Sequence, residues 1–395
     1  MNILVITNIY PPQELGGYGR SIADFVWGLQ KRGHSLQVLS SDAPDLGAGS
    51  HIGPSGENVD RRLILKGSYS GGVRHIEDPG KKRQIDDHNI ILTREWIKVK
   101  KWDGILVGNI DLIGPELLSI LPEANCKIQH HVGFVHPPFP ANAWPQSTNY
   151  QMVAASKAVR TALIEGGMPT KNIPVVYPGA RTEQFGELNV GMPTPLTADG
   201  SQQRPLKVCF AGLLMMSKGV HTLIEAIIEL NRNGICVQAS IAGNSFQKGY
   251  RQQMENAIRK EGLDGAVQFV GELKRTSLAR LYALHHVGVF PSIHPEAFGI
   301  VAAEMMASGL AVISSCVGGA GELVKHETTG LAFAAGNNQE LAKCLARLAK
   351  DSELRSRLAE EGRHQVEANF SVNNASKLLE QGYLDGNIDE ILNFQ

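Results

Sequence analysis

Glu296 and Glu304 enclose the segment EAFGIVAAE, which follows the apolar run Val287–Ser292 and opens a helical pattern near Gly299. On one helix, carboxylates eight residues apart lie about 80° apart around the axis and roughly 12 Å along it. Such a pair can hold two ends of one elongated ligand. Between them, the amides of Phe298, Gly299 and Ile300 fall at the helix start. Donors without intrahelical acceptors and the positive end of the dipole favour phosphate there. Gly299 also permits close approach of backbone to ligand. The plain alternative is a dipole-stabilising Glu followed by a solvated one.

Phe210–Ala226 reads FAGLLMMSKGVHTLIEA, a strand, a loop and an amphipathic helix. Lys218 beside the helix start is disfavoured by the dipole. A bound anion resolves that conflict; a solvated surface lysine is the alternative. A third segment, PPQELGGYGR (Pro11–Arg20), follows the first strand and places a flexible Gly16–Gly17 turn before a helix. Gly17-x-Gly19 echoes a dinucleotide fingerprint, but that fingerprint follows its strand directly and continues to a third Gly, where this chain has Ile22. A nicotinamide site is not expected.

The elements that must position these residues follow from length and pattern. A chain of 395 residues with 43% apolar content suits two domains, each with its own core. The 38 basic and 39 acidic residues nearly cancel, which excludes the basic domain of a nucleic-acid binder. Five cysteines form no C-x-x-C pair and sit mostly in apolar runs, so they read as buried reduced thiols rather than a zinc site. The N-terminus MNILVITN has no signal-peptide pattern. The stretch Gly299–Gly321 is too broken for a membrane span. A reducing cytoplasmic location is expected.

Short β-branched runs alternate with helical patterns in both halves, the signature of parallel sheets covered on both faces. Expected strands include Ile3–Thr7, Leu63–Leu65, Lys127–His130, Pro174–Tyr177, Lys207–Ala211 and Ala311–Ser314. The pattern predicts two doubly wound α/β domains. Gly186–Pro205, rich in Gly, Pro and polar residues, reads as the linker. It separates a domain over 1–184 from one over 185–370. Asp42–Arg61 reads as a second, mobile loop. Ser371–Asp385 has helical spacing at Val372, Ala375, Leu378, Leu379 and Tyr383.

Together these residues resemble the retaining GT-B glycosyltransferases of family 4, the glycosyl transferases group 1. The resemblance runs from the Gly16–Gly17 loop and Arg32–Gly33–His34 through VAASKAVRTALIEGGMPTKNIPVVYPGA (Val153–Ala180). It continues through Ala211–Gly212 with Lys218–Gly219, PSIHPEAFGIVAAEMMASG (Pro291–Gly309) and SCVGGAGELV (Ser315–Val324). It implies a GT-B fold, two Rossmann-like domains facing a deep cleft, with a C-terminal helix over about 371–395 returning to the first. It implies that Glu304 binds the donor ribose, and that the backbone at Phe298–Ile300 with Lys218 holds the diphosphate. Glu296 would contact the donor sugar, and Gly16–Gly17 would close over the phosphates. A histidine at a first-domain strand end would touch the sugar; His131 is preferred and His130 stays open. His34 reads as structural. Two departures stand out. Leu213 occupies a position where the family usually has Arg, for which Arg20 or Arg181 could substitute. Asn244 stands where Asp is common.

The implied reaction is retaining transfer of a hexose, with glucose as first choice, from a UDP-sugar. The acceptor would be a saccharide or lipid-linked saccharide in polysaccharide or glycoconjugate synthesis. No Asp-x-Asp pair is present, and Lys218 with the helix start can neutralise the leaving diphosphate. Transfer without metal or other cofactor is therefore expected. A nucleotide-sugar epimerase, a phosphorylase and a non-catalytic sugar-nucleotide binder are the competing readings. The basic clusters Lys81–Arg83 and Lys98–Lys101 raise peripheral contact with an anionic inner membrane face, against the plainer reading of solvated charge.

Overall fold

A computed structural model describes residues 1–17, 19–170, 172–187, 197–386 and 388. The described chain divides into two compact units, Met1–Pro178 with the segment from Val372, and Gly179–Ser371. The change of unit thus falls at Pro178–Gly179, against the expected 184–185. Residues 188–196 of the expected linker, and 387 and 389–395 of the expected C-terminal helix, lie outside the described residues.

In the first unit the elements are β1 (Asn2–Ile6), α1 (Arg20–Lys31), β2 (Ser35–Ser41), β3 (Asn58–Leu63), a short hairpin β4 (Gly67–Ser68) and β5 (Arg74–His75), α2 (Pro79–Val99), β6 (Gly104–Val107), β7 (Lys127–Val132), β8 (Tyr150–Ala154) and α3 (Lys157–Glu165). Its six-stranded sheet has the order β3-β2-β1-β6-β7-β8, and every pairing is parallel. The runs Ile3–Ile6 and Ile105–Val107 are wholly buried, as strands covered on both faces require. Pro174–Tyr177 forms no strand: only an isolated bridge joins Ala154 to Val175.

The second unit holds α4 (Thr182–Glu187), β9 (Leu206–Ala211), α5 (Val220–Arg232), β10 (Val237–Ala242), α6 (Tyr250–Lys260), β11 (Val267–Gly271), α7 (Arg275–Ala283), β12 (Val287–Phe290), α8 (Ile300–Ala307), β13 (Ala311–Ser314), α9 (Ala320–Leu323), β14 (Leu331–Ala332), α10 (Asn338–Lys350) and α11 (Ser352–Asn369). Its sheet repeats the same winding, β11-β10-β9-β12-β13-β14. In both units the order reverses beside the first strand, and ligands in such sheets bind beyond the strands' carboxyl ends at that reversal. In the second unit it lies between β9 and β12.

The last helix, α12 (Val372–Asp385), belongs to the first unit. Val372, Ala375, Leu378, Leu379 and Tyr383 are all buried. A Cβ at Gly28 of α1 would lie 2.0 Å from Ser376 Oγ, so glycine there lets the two helices meet. Gln129 Nε2 donates to the Leu379 carbonyl at 2.9 Å. Glu380 takes Arg32 Nε at 2.8 Å and faces His34 Nε2 at 2.7 Å. The Arg-Gly-His turn therefore fastens α12. No described helix is long and apolar enough to cross a membrane.

Asp42–Arg61 is not a free loop. Its end, Asn58–Leu63, is the edge strand β3 in place of the expected Leu63–Leu65. Arg61 is buried. Its guanidinium donates to the carbonyls of Ser50 (2.8 Å), Tyr10 (2.9 Å) and Pro11 (2.8 Å) and to Gln13 Oε1 (2.9 Å). With the Ser41 carbonyl at 3.4 Å, the planar fork serves five acceptors that a shorter or apolar chain would strand. Arg61→Met should lower the stability of this unit by about 3 kcal/mol through unsatisfied buried carbonyls. Urea denaturation checks this; a loss under about 0.5 kcal/mol would show that water replaces the guanidinium without cost.

Candidate functional site

The residues singled out in the second unit gather at the β9/β12 reversal. β9 is followed by Gly212, whose φ of 153° is a backbone conformation that L side chains rarely adopt, and Leu214 N donates to Asn244 O at 2.8 Å. A single helical turn, Met216–Lys218, leads to Gly219 at φ 69°, the N-cap of α5. A Cβ on Gly219 would sit 1.9 Å from the Pro291 carbonyl, so only glycine lets the β9 and β12 loops close on each other. The Ser217 carbonyl completes that closure by accepting from Ile293 N at 2.8 Å.

Lys218 is thereby carried to Glu296, Nζ to Oε1 2.6 Å, with the side chains 30% and 16% exposed. Ser292 Oγ donates to the same oxygen at 2.5 Å. Glu296 does not share a helix with Glu304. It lies before α8 and is pinned through its main chain: Glu296 N donates to Val317 O at 3.2 Å and Gly319 N to Glu296 O at 2.7 Å. The Ser315–Gly319 loop thus fixes the Glu296 backbone, and Ser292 and Lys218 fix its carboxylate. The expected 80° helical relation is corrected to a loop carboxylate next to a helix start.

α8 opens at Gly299, with φ 107°, no side-chain cap and no acidic residue in its first turn. Its first intrahelical bond runs from Ala303 N to Gly299 O at 3.1 Å. The amides of Ile300, Val301 and Ala302 precede that bond and point out of the helix end. Phe298, buried, packs on Phe370 with ring centroids 5.7 Å apart and anchors the turn. Glu304 follows on the next turn. It is 1% exposed, in a helix whose residues Ala302–Ala307 are all buried. An acidic side chain there needs a polar or cationic partner. Arg275, at the start of α7, places Nε 3.6 Å from its Oε1.

A lysine, two carboxylates and an uncapped helix start around one strand reversal can bind a di-anion and a polyol together. Arg181 is buried near the start of the second unit, its carbonyl accepting from Gln184 N at 2.9 Å. Leu213 is half-buried. Among the described residues, no three His, Cys, Asp or Glu side chains gather as metal ligands.

The other expected residues belong to the first unit. Gly16, at φ 58°, and exposed Gly17 lie on the β1–α1 connection. Arg20 opens α1, with Nε 3.9 Å from Glu14 Oε2. His130 and His131 lie on β7 and are 1% and 2% exposed. His131 donates from Nε2 to Val176 O at 2.8 Å, its ring edge-on to Phe25. His130 Nδ1 is 2.7 Å from Tyr150 Oη, and its ring stacks on Phe139. Burial pushes His130 down to about 3 and His131 to about 4, so both are neutral at pH 7. Each ring is enclosed by its own unit's packing.

Sequence reasoning missed Ser292 and Arg275. Arg275 carried a signal: Lys274–Arg275 at a helix start meets the same dipole conflict that flagged Lys218.

The sequence profile described as "Glycosyl transferases group 1" matches residues 198–365. YtcC of Bacillus subtilis, which carries a glycosyltransferase name, is 31% identical over 80% of this chain and 83% of its own. Glycogen synthase of Mycobacterium tuberculosis is 25% identical over 97% of this chain and 94% of its own. The structure of Anabaena HepE in complex with UDP and glucose superposes with a TM-score of 0.70 at 20% identity. That match covers 96% of this chain and 98% of HepE.

Proposed function

The chain belongs to the glycosyl transferases group 1 family, and from that premise we propose that it is a retaining, metal-independent hexosyltransferase of family 4 using a UDP-sugar. It is a glycosyltransferase with two Rossmann-like parallel-sheet domains of GT-B type. The observation that carries the finer reading is the Lys218–Glu296 pair beside the uncapped start of α8.

In this reading the leaving diphosphate lies against Lys218 and the first amides of α8. Breaking the anomeric C–O bond puts negative charge on the diphosphate and positive charge on the sugar. A fixed ammonium and fixed amides stabilise the first without reorganising. Glu296, held by Ser292 and Lys218, faces the sugar side and steadies the oxocarbenium-like centre as a positioning group. The acceptor hydroxyl attacks from the face the diphosphate leaves, which retains configuration, and the leaving phosphate oxygen takes its proton. Glu304 takes the ribose hydroxyls. Glucose is the favoured hexose: HepE was solved with UDP and glucose, and a glycogen synthase is among the relatives. A saccharide or lipid-linked saccharide is the proposed acceptor.

A thermal-shift panel of UDP-, GDP- and ADP-sugars tests the donor. A UDP-sugar at about 100 times its Kd should stabilise the protein by about 2.7 kcal/mol, a rise of a few degrees. Stabilisation by GDP- or ADP-sugars alone would reject UDP, and stabilisation by none would favour a non-catalytic protein.

A further inference from the structure

We propose that Arg275 is a positioning residue that sets the orientation of Glu304 and, through it, the preference for ribose over 2′-deoxyribose in the nucleotide. The inference rests on the reading of Glu304 as the ribose ligand and deepens it. Three observations carry it. Glu304 is the one acidic residue in α8, 1% exposed among buried alanines and methionines. Such a carboxylate is tolerated in an apolar helix when a cation compensates it. Arg275 is that cation, 3.6 Å away and itself only 20% exposed.

The second observation is local. Arg275 is the first residue of α7, Lys274 is its N-cap, and the first turn contains no acidic residue. Two cations at the positive end of a helix are disfavoured. The cost is offset for Arg275 by Glu304, a partner from another element. The third is rigidity. Leu278, Ala279 and Tyr282 of α7 are buried, so the helix start carrying Arg275 is fixed by packing. Glu304 is fixed likewise by its own buried helix.

A vicinal ribose diol offers two O–H donors, and a carboxylate accepts both only if its plane is held in one orientation. Arg275 supplies that orientation. It touches neither sugar nor phosphate in this account, so its effect must pass through Glu304.

The test is a double-mutant cycle on the full chain. Dissociation constants for UDP and 2′-deoxy-UDP are measured by calorimetry for wild type, Glu304→Gln, Arg275→Met, Arg275→Lys and the Glu304→Gln/Arg275→Met double variant. Wild type should prefer UDP by about tenfold or more, a missing hydroxyl leaving the carboxylate partly unpaired. Glu304→Gln should abolish that preference. Arg275→Met should reduce it at least fivefold, Arg275→Lys should keep most of it, and the double variant should match Glu304→Gln. A general structural role for Arg275 would weaken both ligands equally and leave the ratio unmoved.

Wild-type preference in Arg275→Met, with preference lost in Glu304→Gln, would overturn the role of Arg275 and leave the ribose reading standing. Preference retained in Glu304→Gln would overturn the ribose reading itself. Should Arg275→Met alone fail to fold around an uncompensated carboxylate, the double variant decides. A UDP dissociation constant equal to that of Glu304→Gln supports action through Glu304, and a further loss of UDP affinity contradicts it.

Discussion

Replacing Lys218 by Met should lower turnover of the nucleotide-sugar donor by about 10²–10³-fold, the cost of removing one fixed electrostatic donor from a transition state. Lys218 is the cation that the β9–α5 turn delivers to the strand reversal, and Glu296 holds it there at 2.6 Å. The charge it meets grows as the diphosphate leaves. The loss should therefore fall on kcat and kcat/KM together, with a smaller change in UDP affinity. Steady-state kinetics beside a melting curve separate this from misfolding. Turnover within threefold of wild type would remove Lys218 from the chemistry. A loss confined to KM would make it a ground-state ligand only.

Acid should destabilise the first unit steeply between about pH 6.5 and 4. Burial holds His130 near 3 and His131 near 4, whereas the unfolded chain's histidines titrate near 6.5. The folded pKa is depressed, so the unfolded state binds more protons in that window and stability falls as pH falls. The contribution is fully present above 6.5. Each histidine removes about 1.4 kcal/mol per pH unit, on the order of 3 kcal/mol across the window. His285 of the second unit, also held low by burial, titrates in the same direction. Denaturation midpoints from pH 7 to 5 should therefore show a slope that His130→Gln and His131→Gln each flatten. Unchanged slopes in both variants would mean that the rings are solvated in the folded state.

Much of the architecture was legible because parallel strands buried on both faces leave continuous apolar runs. Lys207–Ala211 and Ala311–Ser314 were visible this way, and so was the helical spacing from Val372 to Tyr383. β3 was not: Asn58–Leu63 is an edge strand whose sequence NVDRRL is polar. It is held by Arg61 reaching backbone carbonyls, which no apolar count detects. Pro174–Tyr177 erred the other way, being apolar because it is buried while pairing at one bridge only.

The site was legible in its parts and not in its joins. A lysine at a helix start and a carboxylate near a Gly-capped helix each conflict with local preference or mark a ligand, and such conflicts are visible one segment at a time. The Lys218–Glu296 contact spans 78 positions and depends on two loops touching at Gly219 and Pro291. Arg275–Glu304 is of the same kind. Spacing within one helix suggested instead that Glu296 and Glu304 share an axis, and the bridge from Glu296 to Gly318 shows why they do not.

The measurement that tests the central claim most directly is anomer-resolved NMR of UDP-glucose turnover in EDTA. The account predicts slow release of UDP at an unchanged rate on chelation, with the sugar appearing first in the configuration it has in the donor. Turnover that requires a divalent metal, or a first product of inverted configuration, would contradict it.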